Sequence, residues 1–191
     1  MHYQRIVGLS KTIALVTFFA AFWGGVGASQ QADTRMNKTA ETSAPLTLVI
    51  SNSKERVSQS EPFVLEVKLV NVSKEKVSIF GRLLWGYAGG LTLHVSDQSG
   101  REVYAEEHDD DMVIPSVLDN PEAYVVLLPH HFLGIERKDS PKNLFRNPGS
   151  YSVVAEYQSP VPAHYAKTPN FFGRENGVIR SAAIHIQVMK E

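Results

Sequence analysis

Cysteine is absent from the 191-residue chain. That excludes a disulfide scaffold, a thiol nucleophile, an iron–sulfur cluster, Cys-ligated zinc and a lipid anchor carried on cysteine. An excess of base is absent as well, because 19 Lys and Arg stand against 20 Asp and Glu, a formal net charge of −1. Without a clustered basic surface the chain has no electrostatic footprint for nucleic acid. No Gly-x-Ser-x-Gly elbow, His-Glu-x-x-His helix, phosphate loop or dinucleotide fingerprint occurs, so no familiar motif assigns catalysis. No apolar run reaches the ~20 residues that a membrane-spanning helix needs. Beyond residue 44, no segment carries apolar residues at helical spacing.

What is present begins at the N-terminus. Arg5 and Lys11 precede an apolar stretch over residues 13–23, followed by Gly24, Gly25, Val26, Gly27 and Ala28. This is the order of a charged n-region, an h-region and a small-residue cleavage site, so residues 1–28 are expected to be a signal peptide. Its removal leaves 17 bases against 20 acids and no membrane anchor. A domain that is exported without disulfides points to the bacterial periplasm or exterior, and it must be held by its core alone. Residues 29–44 are polar and aperiodic, a flexible leader ahead of a single domain over residues 45–191.

From Pro45 onward the sequence alternates apolar and polar residues with period two, the spacing that puts successive side chains on opposite faces of a sheet. Leu46, Leu48 and Ile50 share one face; so do Phe63, Leu65, Val67 and Leu69; so do Leu91, Leu93 and Val95. Tyr151, Val153, Ala155 and Tyr157 repeat the pattern, as do Ala182, Ile184, Ile186 and Val188. Shorter strands are expected at residues 76–80, 101–105, 124–128 and 132–137. The residues Asp97, Gln98, Ser99 and Gly100 form a hairpin turn. About eight or nine short antiparallel strands close a core as two packed sheets.

Asn147, Pro148, Gly149 and Ser150 bring a sharp turn to Tyr151 at the head of a late strand. That is the place of the tyrosine corner, whose hydroxyl bonds back to the chain just upstream; the alternative is a Tyr that only packs against the core. Together with the Asn71-Val72-Ser73 and Asp97-Gln98-Ser99-Gly100 elements, this turn resembles secreted bacterial immunoglobulin-like domains. In layout the chain is similar to the BsuPI-type proteinase-inhibitor domains over residues 46–157, from which it departs by long inserted loops. The resemblance implies an all-β, immunoglobulin-like antiparallel sandwich.

Chemistry is expected in two long connections, residues 106–122 and 159–179, since loops of this length are usually functional or disordered. The first holds Glu106, Glu107, His108, Asp109, Asp110 and Asp111. His108 and Asp109 to Asp111 are the weak candidates for a metal, although the spacing lacks the Asp-x-Asp-x-Asp-Gly register of a calcium loop. A small secreted metal-dependent or hydrolytic enzyme built on that loop and the nearby histidines is the alternative function. The leading one is an exported non-catalytic binding or accessory module for a protein, such as a protease, or a glycan of that compartment, with no cofactor. Its contacts are expected from Trp85 and Tyr87 in a glycine-rich segment and from Phe171, Phe172 and Arg174 in the second long loop. On that expectation, changing both phenylalanines to Ala leaves the fold largely intact and weakens partner capture; the alternative is that these rings fold back and cap the ends of the core, since Trp and Phe are mostly buried.

Overall fold

In the computed structural model the described residues are 44–86, 89–105 and 118–190, with the backbone alone at residues 3–9. All of them belong to one of the two compact units into which the chain divides, residues 1–10 with 44–191; the other unit is residues 11–43.

Alternation decides the two central strands. β4 (Phe63–Asn71) and β11 (Gly149–Tyr157) each bury every second residue, so each lines the core with one face. β4 is flanked by β2 (Leu46–Asn52) and β10 (His131–Asp139), and β1 (Tyr3–Leu9) pairs the far side of β10, giving the order β1-β10-β4-β2. In the second sheet β11 lies between β7 (Gly90–Asp97) and β13 (Ile184–Met189). β3 (Arg56–Ser58) runs parallel to β13, while β6 (Leu84–Trp85) and β8 (Glu102–Ala105) both pair β7, and β12 (Ile179–Arg180) pairs β11. A small third sheet joins β5 (Val77–Phe80) to β9 (Tyr124–Leu127).

Leu65, Val67, Leu69 and Leu133 from one large sheet meet Leu91, Leu93, Val95, Val153 and Ala155 from the other, all fully buried. The chain is an all-β antiparallel sandwich. Each of the nine expected strands is found, and the thirteen strands among the described residues exceed that number through β1, β3, β6 and β12. Three of these four have two or three residues, too few to show a period.

The strand order identifies the kind of sandwich. In immunoglobulin-like domains one sheet runs A-B-E-D and the other carries C, F and G. Here β2, β4 and β10 take the places of A, B and E, and β7, β11 and β13 those of C, F and G. The corner between β10 and β11 completes it: the Tyr151 hydroxyl donates to the Asn147 carbonyl at 2.7 Å and accepts from the Asn147 amide at 3.2 Å. Tyr151 stacks at 4.8 Å on Phe145, which packs at 5.7 Å against Phe63, so the corner is seated on the core.

Two local devices follow from single residues. Asp97 Oδ1 accepts from the amides of Ser99 and Arg101 while Gly100 adopts φ +81, which shapes the β7–β8 hairpin. Asn71 is wholly buried, its amide donating to the carbonyls of Glu75 and Leu127, so this Asn-x-Ser element pins a turn to the neighbouring strand.

Of the expected signal peptide, Tyr3–Leu9 forms β1 and the remainder lies outside the described residues, as does the leader up to residue 43.

Candidate functional site

The connection from β11 to β12, residues 158–178, is a fastened structure. Ser78 of β5 holds its far limb from several sides: the Ser78 amide donates to the Asn170 carbonyl at 2.9 Å, the Phe172 amide to the Ser78 carbonyl at 2.8 Å, and the Ser78 hydroxyl to the Pro169 carbonyl at 2.9 Å. The two limbs of the loop are also tied to each other. The Arg174 amide donates to the Val161 carbonyl, and the Ala163 amide to the Glu175 carboxylate, both within 3.0 Å. They cross so closely that a Cβ on Gly173 would stand 2.5 Å from the Ala163 backbone nitrogen, which is why glycine occupies that position.

This fastening fixes the aromatic residues. Phe172 is 3% exposed and packs on buried Tyr157, so its ring belongs to the core and is not available to a partner. Phe171 is half-buried, bridges to Ser78, and meets Tyr124 edge-on at 5.5 Å. The expectation that both phenylalanines can be changed to Ala with the fold largely intact therefore does not hold, because a long-range bridge to β5 draws both rings inward. Arg174 is half-buried and donates to the Pro160 carbonyl. The ring that does project is Tyr165, 55% exposed, stacked at 4.2 Å on His164 at the end of the 3-10 turn Ala163–Tyr165. Val178, 50% exposed, lies farther along the same connection. Tyr165 was not among the expected contacts. The proline pair Pro160 and Pro162, which cannot continue the strand and marks an irregular turn just before it, was the signal available.

Electrostatics reinforce the loop. The amide donated by Ala163, with the neighbouring His164, holds the Glu175 carboxyl below its ordinary range. Hydrogen bonding to Asp119 raises the Lys167 ammonium, a surface pair at 2.8 Å. Burial pushes the Tyr124 phenol up, and its hydroxyl donates to the Leu118 carbonyl.

Trp85 lies elsewhere, packed against the core with its ring 5.3 Å from the Arg137 guanidinium. Arg137, 2% exposed, pairs with buried Asp139 through Nε at 2.9 Å and Nη2 at 2.8 Å, and reaches the Tyr104 hydroxyl at 3.2 Å. Asp139 in turn accepts from the Ser140 amide and from Asn143 in the helical turn Pro141–Leu144. Residues two apart on a strand share a face, so the opposite charges of Arg137 and Asp139 were the sequence signal of this pair. Tyr87 lies outside the described residues.

His108, Asp109, Asp110 and Asp111 also lie outside the described residues, with the rest of residues 106–117. Among the described residues no group of three or more His, Asp or Glu is placed to hold a metal. His94 and His185 sit on β7 and β13 with β11 between them, so they do not converge. His94 is held instead between two carboxylates, Glu102 at 2.6 Å and Glu156 at 3.4 Å, and Arg180 completes the row at 2.6 Å from Glu156. Beside this row is a cleft of about 50 Å³ bordered by Gly90, Thr92, Glu156, Gln158 and Pro160, with room for water and far below the ~300 Å³ of an ordinary small-molecule pocket.

No protein-family model matches the chain, and no curated protein matches it in sequence. Solved structures overlay it loosely. The CARDB domain of PF1109 from Pyrococcus furiosus, a complex with di-metal ions, is 13% identical over 75% of this chain and 87% of that one, with a TM-score of 0.36. AvmM, which catalyses macrocyclization in alchivemycin A biosynthesis, gives 10% identity over 78% and 90%, with a TM-score of 0.40. The alkylpurine DNA glycosylase AlkC of Pseudomonas fluorescens gives 9% over 76% and 30%, with a TM-score of 0.39. Overlays this loose, with proteins this unlike one another, transfer no activity to the chain.

Proposed function

We propose that the protein is an exported, non-catalytic immunoglobulin-like module that binds a protein or glycan of the compartment it enters, using the loop of residues 158–178. One observation carries this reading: an exposed Tyr165, stacked on His164, stands on a loop whose two limbs are tied to each other and to β5. A ring already held in place loses little conformational freedom when a partner covers it, and large rigid rings supply most of the energy at binding surfaces. Arg174 and the half-buried Phe171 lie at the base of the same loop.

The BsuPI-like layout makes an exported protease one partner of this class. Export rests on the n-region, the h-region and the Val26-Gly27-Ala28 site, and mass spectrometry of the mature N-terminus should find Ser29 or a residue shortly after it; intact Met1 in the exported fraction would refute it. The binding reading is tested by affinity capture from the exported fraction. Tyr165→Ala should fold like the parent and weaken capture by about 2 kcal/mol, roughly thirtyfold. An unchanged capture profile would move the binding surface off this loop.

A further inference from the structure

We propose that the outer edge of β10 is a self-pairing surface through which two copies of the exported chain associate. The proposal rests on the export reading for the removal of β1. In the A-B-E-D order of an immunoglobulin-like sheet, the place beside E belongs to strand D. Here β9, which precedes β10 in the chain, is diverted onto β5, pairing from Val77↔Leu127 to Phe80↔Tyr124. The vacated place is taken by β1, which pairs β10 without interruption from Tyr3↔Arg137 to Leu9↔His131. That register shows the backbone of β10 to be competent for a full strand on this side. β1 lies inside the segment expected to be cut away on export, and its loss exposes an edge seven residues long, along which alternate residues of β10 turn their backbone groups outward.

Natural sheets guard such edges with short strands, bulges, proline or charge. The second sheet does so: β3 has three residues, and the β7–β8 pairing shifts register between Val95 and Ser96. β10 has nine residues, no proline, and an unbroken register with β4 over Phe132 to Asp139. Its one exposed charge is Lys138, close to its end.

The occupant is a second copy, because β10 is complementary to itself. Antiparallel pairing of identical strands is two-fold symmetric. With the axis at Ile135, His131 comes opposite Asp139 of the second copy, Phe132 opposite Lys138, and Gly134 opposite Glu136, so no like charges face each other. Within one copy Lys68 already lies 5.2 Å over the Phe132 ring, the same kind of contact that Lys138 of the second copy would make. The two sheets would then continue as one across the pair.

The test uses the full chain with a specific protease sequence inserted between Ala28 and Ser29. Mass in solution is measured by light scattering before cutting and after removal of the fragment of residues 1–28, at matched concentration, with circular dichroism to follow the β signal. The uncut chain should have the mass of a monomer, and the cut chain twice the mass of one cut copy. Excess synthetic peptide of residues 3–9 should return the cut chain to monomer, because it competes for the same edge. The proposal is overturned if the cut chain stays monomeric, if its dimer ignores the peptide, or if the β signal collapses on release of residues 1–28, which would make β1 a permanent strand D. The cut is made in vitro, so its outcome stands apart from whether the cell cleaves there, which the mature N-terminus reports.

Discussion

The outer face of the sheet containing β7 and β11 and the loop of residues 158–178 are both in contact with water, and they are built on opposite plans. On the sheet face the polar groups satisfy one another across strands: Glu102, His94, Glu156 and Arg180 form one continuous row. A surface whose charges are already paired offers a partner little that water does not. The loop spends its polar groups on fastening itself, through Ser78, Glu175 and the crossing at Gly173, and leaves a ring outside. Strand periodicity makes the first surface, while contacts between residues some ninety positions apart make the second.

Phe172→Ala should give the largest effect. Removing a ring that is 3% exposed leaves a cavity under the loop and should cost about 3–5 kcal/mol in denaturant unfolding. A loss under ~0.5 kcal/mol would put the ring outside the core and make the loop no more than a tether. Ser78→Ala comes next. It removes the hydroxyl that donates to Pro169 and accepts from Thr168, and should cost about 1 kcal/mol while speeding amide exchange at residues 168–172. Exchange accelerating equally throughout β11 would show that the loop and the sheet unfold as one unit. On the sheet face, His94→Ala should move stability by no more than ~0.5 kcal/mol, since its partners are solvent-screened surface groups.

The smallest effect is a pH response confined to the loop. The Glu175 carboxyl is held below its ordinary value, so the attachment it makes is complete above the ordinary carboxylate range and is lost as pH falls through the lowered folded value. Nuclear magnetic resonance of the Ala163 amide should follow that loss, with the β11 amides unmoved. A response in β11 at the same pH would mean that the site is coupled to the whole fold.

What could be read from the sequence follows from the range of the interactions involved. β4 and β11 announce themselves because burial on one face of a strand imprints a period of two on adjacent residues. Tyr151 was legible because the corner it makes is local, four residues from its partner Asn147. Phe172 was not, because its burial depends on Ser78 in β5, and no local period records such a contact. Trp85 was read as a candidate contact on its glycine-rich surroundings, whereas its position is set by Arg137 more than fifty residues away. Tyr3–Leu9 lies in the charged region that precedes the apolar stretch of the expected export signal, and it pairs as a strand; only β10 reveals the second property.

On the proposed function, recognition is concentrated on the fastened loop and not on the sheet face. The most direct measurement places a photo-crosslinking residue at Tyr165 in one variant and at His94 in another, with both produced in the native cell and irradiated there. The account predicts a discrete adduct from position 165 and none from position 94. Adducts from position 94 alone would contradict it and assign binding to the ion-paired face.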